Sequence, residues 1–400
     1  MPAWQPTYHG WSNVPRLDEH QQRTRDLMEA FAKQKNERVP IRFVCDEQIW
    51  TKVIGCSFRR FYHEAETHLR AQLEGWHWFR HHVLGDHPVG LPDRWNVVVQ
   101  HWMEENAHFG CQVVYQEDDY AWGQPLDLAR DELLAHLRDL DPEDQIRSSR
   151  TYQLYQELCG IAADLTFCER PVQVLPPGRG THGIFTKAAE VRGIDQLCLD
   201  LAEDPAFAQA YLDAFTEAEI ARIQAWRRLA PHPDEEPLPN RVGFGFADDS
   251  LQLISAASAR RYLLEPYRLL YDAMTAGPRS FHVCGHAMQH YAMLVEDLGI
   301  TTIDGPGHFC DHASYLARYP SLSFHAQTDS GIHLHGSDDD VAAMMQKLLA
   351  PGSKLPGRFW IDGFLTRHMP VKALERCYEL GLELGTIPTH GRSKQEASHV

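Results

Sequence analysis

Short apolar segments of strand length alternate with longer segments of helix length along almost the whole chain after Val39. Nearly continuous apolar strands are typical of parallel sheets, because helices cover both faces of such sheets. Eight strand segments are present if only one of the two segments near Trp95 and Cys111 enters the sheet. That number, in a chain of 400 residues, predicts a (β/α)8 barrel of the TIM type. The strand candidates are 39–45, 95–100, 111–115, 172–175, 241–247, 280–284, 301–304, 321–326 and 358–362.

The first strand segment argues against the main alternative, a doubly wound α/β fold. Such a fold places a glycine-rich, phosphate-binding loop directly after its first strand. In this chain the first strand is followed by Asp46-Glu47-Gln48, which contains no glycine. The sequence therefore favours the barrel.

The barrel prediction divides the chain into three parts. Residues 1–36 are predicted to form an N-terminal extension that contains a polar helix, and residues 37–387 the catalytic barrel. Residues 388–400 are polar and are predicted to be a loose tail. No internal repeat indicates a further division of the barrel.

Charge and composition limit the classes of function. The net charge of −17 at pH 7 argues against binding to nucleic acids and to anionic membranes. No segment approaches the roughly 20 apolar residues that span a bilayer, and the N-terminal residues do not resemble a secretory signal. The nine cysteines are scattered, mostly within apolar segments, which suits free thiols in a reducing compartment. We therefore expect a cytoplasmic protein that acts on a small molecule.

Acidic and metal-ligating residues recur at the carboxyl ends of the predicted strands. In a barrel all of these ends lie on one face, and that face carries the active site. Their convergence is better evidence for a catalytic site than any single motif. The residues are Asp46, Glu117, Asp248, Asp249, His282, Cys284, Asp304 and Asp362.

His282 and Cys284 form the most distinctive pair in this set. Residues at i and i+2 of a strand share one face, so an imidazole and a thiolate can reach the same metal ion. Zinc is the first candidate for that ion, and other divalent transition metals suit the same donors. The alternative is a buried thiol that packs beside a hydrogen-bonded histidine.

Four acids are the candidate catalytic residues: Glu117, Asp248, Asp249 and Asp304. Neighbouring carboxylates often raise one another's pKa, which suits acid–base catalysis or the binding of an amine. For the Asp248-Asp249 pair, a structural role as a helix cap or loop acid is equally compatible with the sequence. Asp304 precedes a Gly-Pro-Gly turn, which also places it at a strand end.

Several segments, in their order along the chain, resemble the uroporphyrinogen decarboxylase superfamily, and above all its corrinoid-protein:thiol methyltransferase branch. The resemblance covers residues 38–386 and is strongest from 180 to 305. It implies a barrel, which agrees with the strand count. The segments are 183–193, 199–205, 247–249, 267–285 and 298–299.

The resemblance also implies a metal site and a reaction. In the methyltransferase branch, a pair at the positions of His282 and Cys284 supplies two zinc ligands, and a distant cysteine supplies the third. The metal activates a small thiol, which accepts a methyl group from a corrinoid carried by a partner protein. This chain departs from the pattern, because Gly363 stands where the third ligand is expected. Asp362 and Cys310 are the candidate replacements.

Two other functions stay open at this point. One is a decarboxylase or lyase that acts on a small non-porphyrin substrate, and the other is a non-catalytic relative that binds a corrinoid or a metal. Glu117 falls roughly where the decarboxylase branch has its catalytic acid. The arginine-rich loop that holds tetrapyrrole carboxylates in that branch is replaced by the segment 46–50. The leading hypothesis is therefore the metal-dependent methyltransferase.

Overall fold

The computed structural model describes residues 2–8, 17–99, 103–352 and 355–387, and within them helices and strands alternate. The strands are β1 (Ala3–Trp4), β2 (Ile41–Cys45), β3 (Trp95–Val98), β4 (Gln112–Val114), β5 (Trp122–Gln124), β6 (Thr166–Phe167), β7 (Arg170–Leu175), β8 (Phe244–Ala247), β9 (Arg279–His282), β10 (Ile300–Asp304), β11 (Ser323–Gln327) and β12 (Phe359–Leu365). The helices are α1 (Leu17–Ala32), α2 (Glu47–Ile54), α3 (Phe58–His63), α4 (Ala65–His82), α5 (Glu104–His108), α6 (Arg130–Asp139), α7 (Pro142–Ser148), α8 (Arg150–Ala162), α9 (Ile184–Arg192), α10 (Ile194–Glu203), α11 (Pro205–Leu229), α12 (Ala256–Tyr262), α13 (Leu264–Met274), α14 (His312–Arg318), α15 (Ser330–His335), α16 (Asp338–Gly352) and α17 (Val371–Leu384).

A parallel sheet of six strands, in the order β2-β12-β11-β10-β9-β8, forms the centre of the molecule. Every neighbouring pair is parallel, and the register aligns Asp304 with His282 on one side and with His325 on the other. These strands correspond to the predicted segments, so the α/β character and the parallel sheet are confirmed. Helices follow the strands along the chain, as parallel connections require.

A second sheet pairs β3 with β7 in parallel, and it continues through β6 to β1. Of the two segments near Trp95 and Cys111, only the first therefore enters a parallel pair, as expected. The second segment forms β4, which pairs antiparallel with β5 in a separate hairpin. The residues of β4 are only half-buried or exposed, so this strand lacks the two covered faces of a parallel strand.

The two faces of the six-stranded sheet differ in chemistry. One face is apolar and fully buried, and its side chains pack against helices such as α17, where Gly381 lies directly against Ile41. Alternation along each strand puts polar side chains on the other face. The apolar face carries Ile41, Phe43, Phe281, Ile303, Phe324, Ala326, Phe359 and Ile361, and the polar face carries Arg42, His282, Asp304, His325 and Asp362.

The segment after β9 differs from its prediction. The sequence predicts a strand to Cys284 and then a regular helix over 286–298. The strand ends at His282, and the following segment holds a 3₁₀ turn (Met288–His290) and a π turn (Met293–Asp297). The wide π turn accommodates two consecutive core side chains, Met293 and Leu294, both of which are buried.

The N-terminal extension contains the predicted helix as α1, whereas the predicted tail over 388–400 lies outside the described residues. Within the part of the chain that the structure describes, no helix is both long and apolar enough to cross a membrane.

Candidate metal-binding site

Asp249, His282 and Cys284 bring one carboxylate oxygen, one imidazole nitrogen and one sulfur together at the carboxyl ends of β8 and β9. The three ligand atoms all lie within 4.8 Å of one another. His282 Nε2 lies 3.2 Å from Cys284 Sγ and 3.6 Å from Asp249 Oδ1. No other group of three such side chains occurs in the described ranges.

Backbone geometry explains how residues from two strand ends converge. The amide of Cys284 donates to Asp249 Oδ1 at 2.7 Å, so Cys284 leaves the strand and turns towards the loop after β8. Gly305 follows β10 with a φ of +98°, a conformation that favours glycine. A Cβ atom there would lie 2.6 Å from the Val283 carbonyl oxygen and 3.1 Å from His282 Cε1. The glycine therefore permits the close approach of β9 and the loop after β10.

Asp304 orients the imidazole of His282. Its carboxylate forms a short hydrogen bond with Nδ1, which directs Nε2 towards Cys284 and Asp249. Burial lowers the pKa of His282, but the hydrogen bonds with Asp304 and Cys284 outweigh burial and raise this pKa to about 11. A carboxylate on the second nitrogen is the usual support for a metal-ligating histidine, because it fixes the tautomer and the ring orientation.

The donor set and its spacing fit a transition metal. For bonds of roughly 2.0–2.3 Å to a tetrahedral zinc ion, neighbouring ligand atoms lie roughly 3.3–3.8 Å apart. The 3.2 and 3.6 Å separations from His282 Nε2 are close to these values. Nitrogen, thiolate and carboxylate are all ligands that zinc accepts. The three side chains are also partly exposed, which leaves room for a further ligand.

Asp362, a predicted third ligand, stands apart from the group of three. Its Oδ2 accepts a hydrogen bond from Trp360 Nε1 at 2.8 Å, and its Oδ1 lies 3.7 Å from Arg42 Nε. Burial raises the pKa of Asp362, and the nearby Arg42 opposes this shift. The side chain faces the same side of the sheet as His282 and lies two residues beyond its row, towards the carboxyl ends of the strands. The carboxylate that lies 3.6 Å from His282 Nε2 is that of Asp249.

Cys310, the other predicted third ligand, is not brought to the group. Its thiol is buried and lies 3.9 Å from the Tyr291 hydroxyl. Burial raises the pKa of Cys310 to about 12, which disfavours the thiolate that a metal requires. Pro306 still accepts a hydrogen bond from the Gln327 amide of β11, and the chain then turns so that Cys310 is buried just before α14.

Asp248 and Asp249 have different surroundings although they are adjacent. Asp248 is fully buried and accepts hydrogen bonds from the amides of Phe185 and Thr186, the Thr186 hydroxyl and the Tyr267 hydroxyl. Burial raises the pKa of Asp248 to about 6, although these bonds oppose the shift. Its oxygens thus hold the first turn of α9 against the end of β8. This geometry favours the structural role for Asp248, whereas Asp249 faces the site.

Glu117 does not lie where the sequence places it. It follows β4 in the hairpin, outside the parallel sheets, and its side chain is exposed. Its backbone oxygen accepts a hydrogen bond from the Phe58 amide at 2.9 Å. The predicted position at the end of a sheet strand is therefore wrong, because the segment that precedes Glu117 pairs in a hairpin.

Two side chains of β11 near the site are missing from the sequence-based set. Gln327 Oε1 lies 3.9 Å from Cys284 Sγ, at the carboxyl end of the strand. His325 is aligned with Asp304 and stacks on Trp360, with 3.4 Å between ring centres. Gln327 lies at the carboxyl end of a strand, as the predicted acids do. Position therefore indicates it too, but an amide is weaker evidence of a catalytic or metal-binding role than a carboxylate.

Comparisons with known proteins identify a fold and no family. Neither the models of known protein families nor the curated proteins give a match to this chain. Among solved structures, a methyltransferase from Methanosarcina mazei superposes with a TM-score of 0.56 at 14% sequence identity. The superposition covers 90% of this chain and 98% of that one. At this identity the likeness establishes a shared fold, and fold alone does not determine activity.

Proposed function

We propose that this protein is a metal-dependent methyltransferase that transfers a methyl group to a small thiol. The observation that carries the proposal is the group of Asp249, His282 and Cys284, with Asp304 on the second nitrogen of His282. The fold that the chain shares with a methyltransferase supports the same reaction class. The segments that resemble the corrinoid-protein:thiol methyltransferases point in the same direction.

The proposal includes a closed (β/α)8 barrel over residues 37–387. The six-stranded sheet has β2 and β8 at its edges, and β3 and β7 form a parallel pair that would fill the gap between them. The loop after β7 lies against the end of β8, since a Cβ atom on Gly183 would be 2.2 Å from the Ala247 oxygen. On the other side, α4 packs against both α2 and β3. Closure would direct the polar face of the sheet into the barrel.

His282, Cys284 and Asp249 would hold the metal, with Asp249 in place of the third cysteine. A bound zinc ion supplies a Lewis acid that lowers the pKa of a thiol ligand, so that the thiol is a nucleophile at neutral pH. Asp304 holds the His282 ring in place, and Gln327 is close enough to Cys284 to orient a substrate atom beside it. A corrinoid carried by a partner protein in the cytoplasm would be the source of the methyl group.

The second candidate is a lyase or decarboxylase, and the His282–Asp304 pair is the observation that favours it. A carboxylate-bound imidazole can deliver or remove a proton without a metal ion. The thiol of Cys284 and the carboxylate of Asp249 would then be part of the substrate pocket. The two candidates differ in whether the group of three side chains binds a metal.

Metal analysis distinguishes these candidates. We expect about one zinc ion per chain in protein purified without oxygen, because a three-donor site of this kind retains its metal. His282→Ala and Cys284→Ser should lose the metal, and Asp249→Ala should reduce its content. Elemental analysis of the purified variants measures all of these effects.

Two matched variants test the choice of the third ligand. Cys310→Ser and Asp362→Asn remove the other predicted ligands and should keep the full metal content. Loss of metal in Asp362→Asn with retention in Asp249→Ala would reverse the assignment. A wild-type protein that holds no transition metal after reloading would contradict the methyltransferase proposal and favour the lyase.

A further inference from the structure

Two glutamine amides flank the loop that carries Cys284, and neither has a strong partner within the chain. Gln327 Oε1 lies 3.9 Å from Cys284 Sγ, and this long contact is the only hydrogen bond of its side chain among the residues that the structure describes. The side-chain amide of Gln252 forms no hydrogen bond with any described residue. Because an amide offers one acceptor oxygen and two donor hydrogens, both side chains can bind a polar ligand.

Gln252 is directed to the candidate site by the turn that carries Asp249. The 3₁₀ turn Asp249–Leu253 follows β8, and side chains three residues apart in such a turn eclipse each other. Gln252 therefore lies on the same side of the turn as Asp249. Its amide reaches the residue after Cys284, since a Cβ atom on Gly285 would be 2.1 Å from Gln252 Oε1.

Gly285 makes room for the Gln252 amide. Its φ of +72° favours glycine, and a Cβ atom there would also lie 2.9 Å from Gln252 Cδ. The backbone after Cys284 and the Gln252 amide can therefore lie close together. Gln327 approaches Cys284 from the end of β11, so the two amides reach the site from different strands.

Metal binding would remove the one contact of the Gln327 amide. Cys284 as a metal ligand is a thiolate, which has no proton to donate to Gln327 Oε1. Two thiolates on one tetrahedral zinc ion lie roughly 3.8 Å apart, which is close to the 3.9 Å between Cys284 Sγ and Gln327 Oε1. A substrate thiol and the Gln327 amide would therefore both lie next to Cys284, so a short substituent spans the distance between them.

Nearby carboxylates restrict the charge of that substituent. Asp249 and Asp304 lie beside His282, and Asp362 is aligned with Gln327 across the sheet. These three carboxylates would repel an anionic group. Each of them also has a hydrogen-bond partner within the chain, so a cationic group would have to compete with those partners. A neutral group that both donates and accepts hydrogen bonds suits the two amides best.

We infer that Gln252 and Gln327 determine specificity by binding a hydroxyl group on the thiol substrate, so that the preferred substrates are short, uncharged hydroxythiols. This inference rests on the proposed function for the position of the thiol. The hydroxyl would donate its proton to one amide oxygen and accept a hydrogen bond from the other amide. Such a site discriminates against an analogue that lacks the hydroxyl, because the amides are then left without partners.

The test compares 2-mercaptoethanol with 1-propanethiol, which has a methyl group in place of the hydroxyl. The full-length protein, loaded with cobalt(II), would be titrated with each thiol, and the thiolate-to-cobalt absorption band measures binding. In Gln252→Leu and in Gln327→Leu, the ratio of the two affinities should move towards 1-propanethiol. The expected change is roughly three- to ten-fold for each variant, which is the contribution of one neutral hydrogen bond.

Shortened amides test whether the position of each amide matters. Gln252→Asn and Gln327→Asn keep a polar amide but withdraw it from the site by one carbon. Their affinity ratios should move in the same direction as those of the leucine variants. A wild-type ratio in both asparagine variants would assign the preference to general polarity and would overturn the inference.

The controls separate this inference from the proposed function. Gln112→Leu removes an exposed amide in β4 and should keep the wild-type ratio. Cobalt content should be the same in all of these proteins, and its loss in a glutamine variant would make that residue a metal ligand instead. A wild-type ratio in both leucine variants would overturn the inference and leave thiol binding intact. If neither thiol changed the absorption of the wild-type protein, both the inference and the proposed function would be wrong.

Discussion

The two ring nitrogens of His282 have different neighbours, and this difference controls the chemistry at the candidate site. Nδ1 is bonded to Asp304, whereas Nε2 faces Cys284 and Asp249. The imidazole can therefore bind a metal only through Nε2 unless the ring rotates. Asp304 acts through His282 and is a positioning residue for the site.

At this scale we predict that Asp304→Asn lowers the affinity for zinc about ten-fold to a hundred-fold, because carboxylates on metal-ligating histidines commonly contribute that much. The amide keeps the size of the side chain and loses the charge that orients and polarises the ring. Competition with a chromophoric chelator measures the affinity. Asp339→Asn, which changes an exposed acid in α16, is the control and should leave the affinity unchanged. An unchanged affinity in Asp304→Asn would mean that the ring is held by other contacts.

At the scale of elements, the site depends on how the loops after β8, β9 and β10 approach one another. The Cys284 amide binds Asp249 in the loop after β8, and Gly305 allows the loop after β10 to lie against Val283. A change in either loop moves a ligand of the site without removing it. Backbone conformation at Gly305 is therefore as important for the site as the ligands are.

We predict that Gly305→Ala reduces both metal content and the free energy of unfolding. The φ of +98° is unfavourable for alanine, and the new Cβ atom would clash with the Val283 oxygen. The loss should be on the order of 1–3 kcal/mol, and urea denaturation measures it.

Gly299→Ala is the matched control for Gly305→Ala. Gly299 has a φ of +68°, but nothing lies within 4 Å of the position of its Cβ atom. The Gly299→Ala variant should lose only the part of the free energy of unfolding that comes from backbone conformation, about 1 kcal/mol, and should retain its metal. Equal losses in the two variants would show that the contact with Val283 is unimportant.

At the scale of the whole molecule, several buried histidines make stability depend on pH. Burial lowers the pKa of His87 to about 3. It also lowers the pKa values of His68, His312 and His333 to about 4. These rings are neutral in the folded protein at neutral pH. In the unfolded chain the pKa of a histidine is about 6.5, so these rings bind protons more readily there than in the folded protein.

We predict that stability decreases as the pH falls from about 6.5 towards 4, because the unfolded state binds more protons over this range. Each such histidine contributes up to about 1.4 kcal/mol per pH unit between its two pKa values. His87→Gln should reduce the steepness of the decrease, whatever it does to stability at pH 7. Urea denaturation at pH 7, 6 and 5 measures the slope. His63→Gln, at an exposed position, should leave the slope unchanged, and an equal slope in both variants would contradict the role of His87.

Local pattern was sufficient to predict most elements of the fold. Apolar strands such as Ile41–Cys45 and Phe359–Leu365 bury one whole face under helices, so their composition reveals them without knowledge of their partners. The starts of α7 at Asp141-Pro142 and of α11 at Asp204-Pro205 are also local features, because helix caps depend on adjacent residues. The segment after β9 could not be predicted in this way, because its π turn depends on which side chains pack into the core.

The sequence by itself determined the alternation of strands and helices, and it identified His282 and Cys284 as one potential ligand pair, since two residues of one strand need no distant information. Only the tertiary structure decided that Asp249 joins them, that Asp304 supports the ring, and that Cys310 and Glu117 lie elsewhere. It also brought Arg42 beside Trp360, residues at opposite ends of the chain. The physical reason is that strand order and register place distant segments side by side, and these follow from the packing of the whole chain.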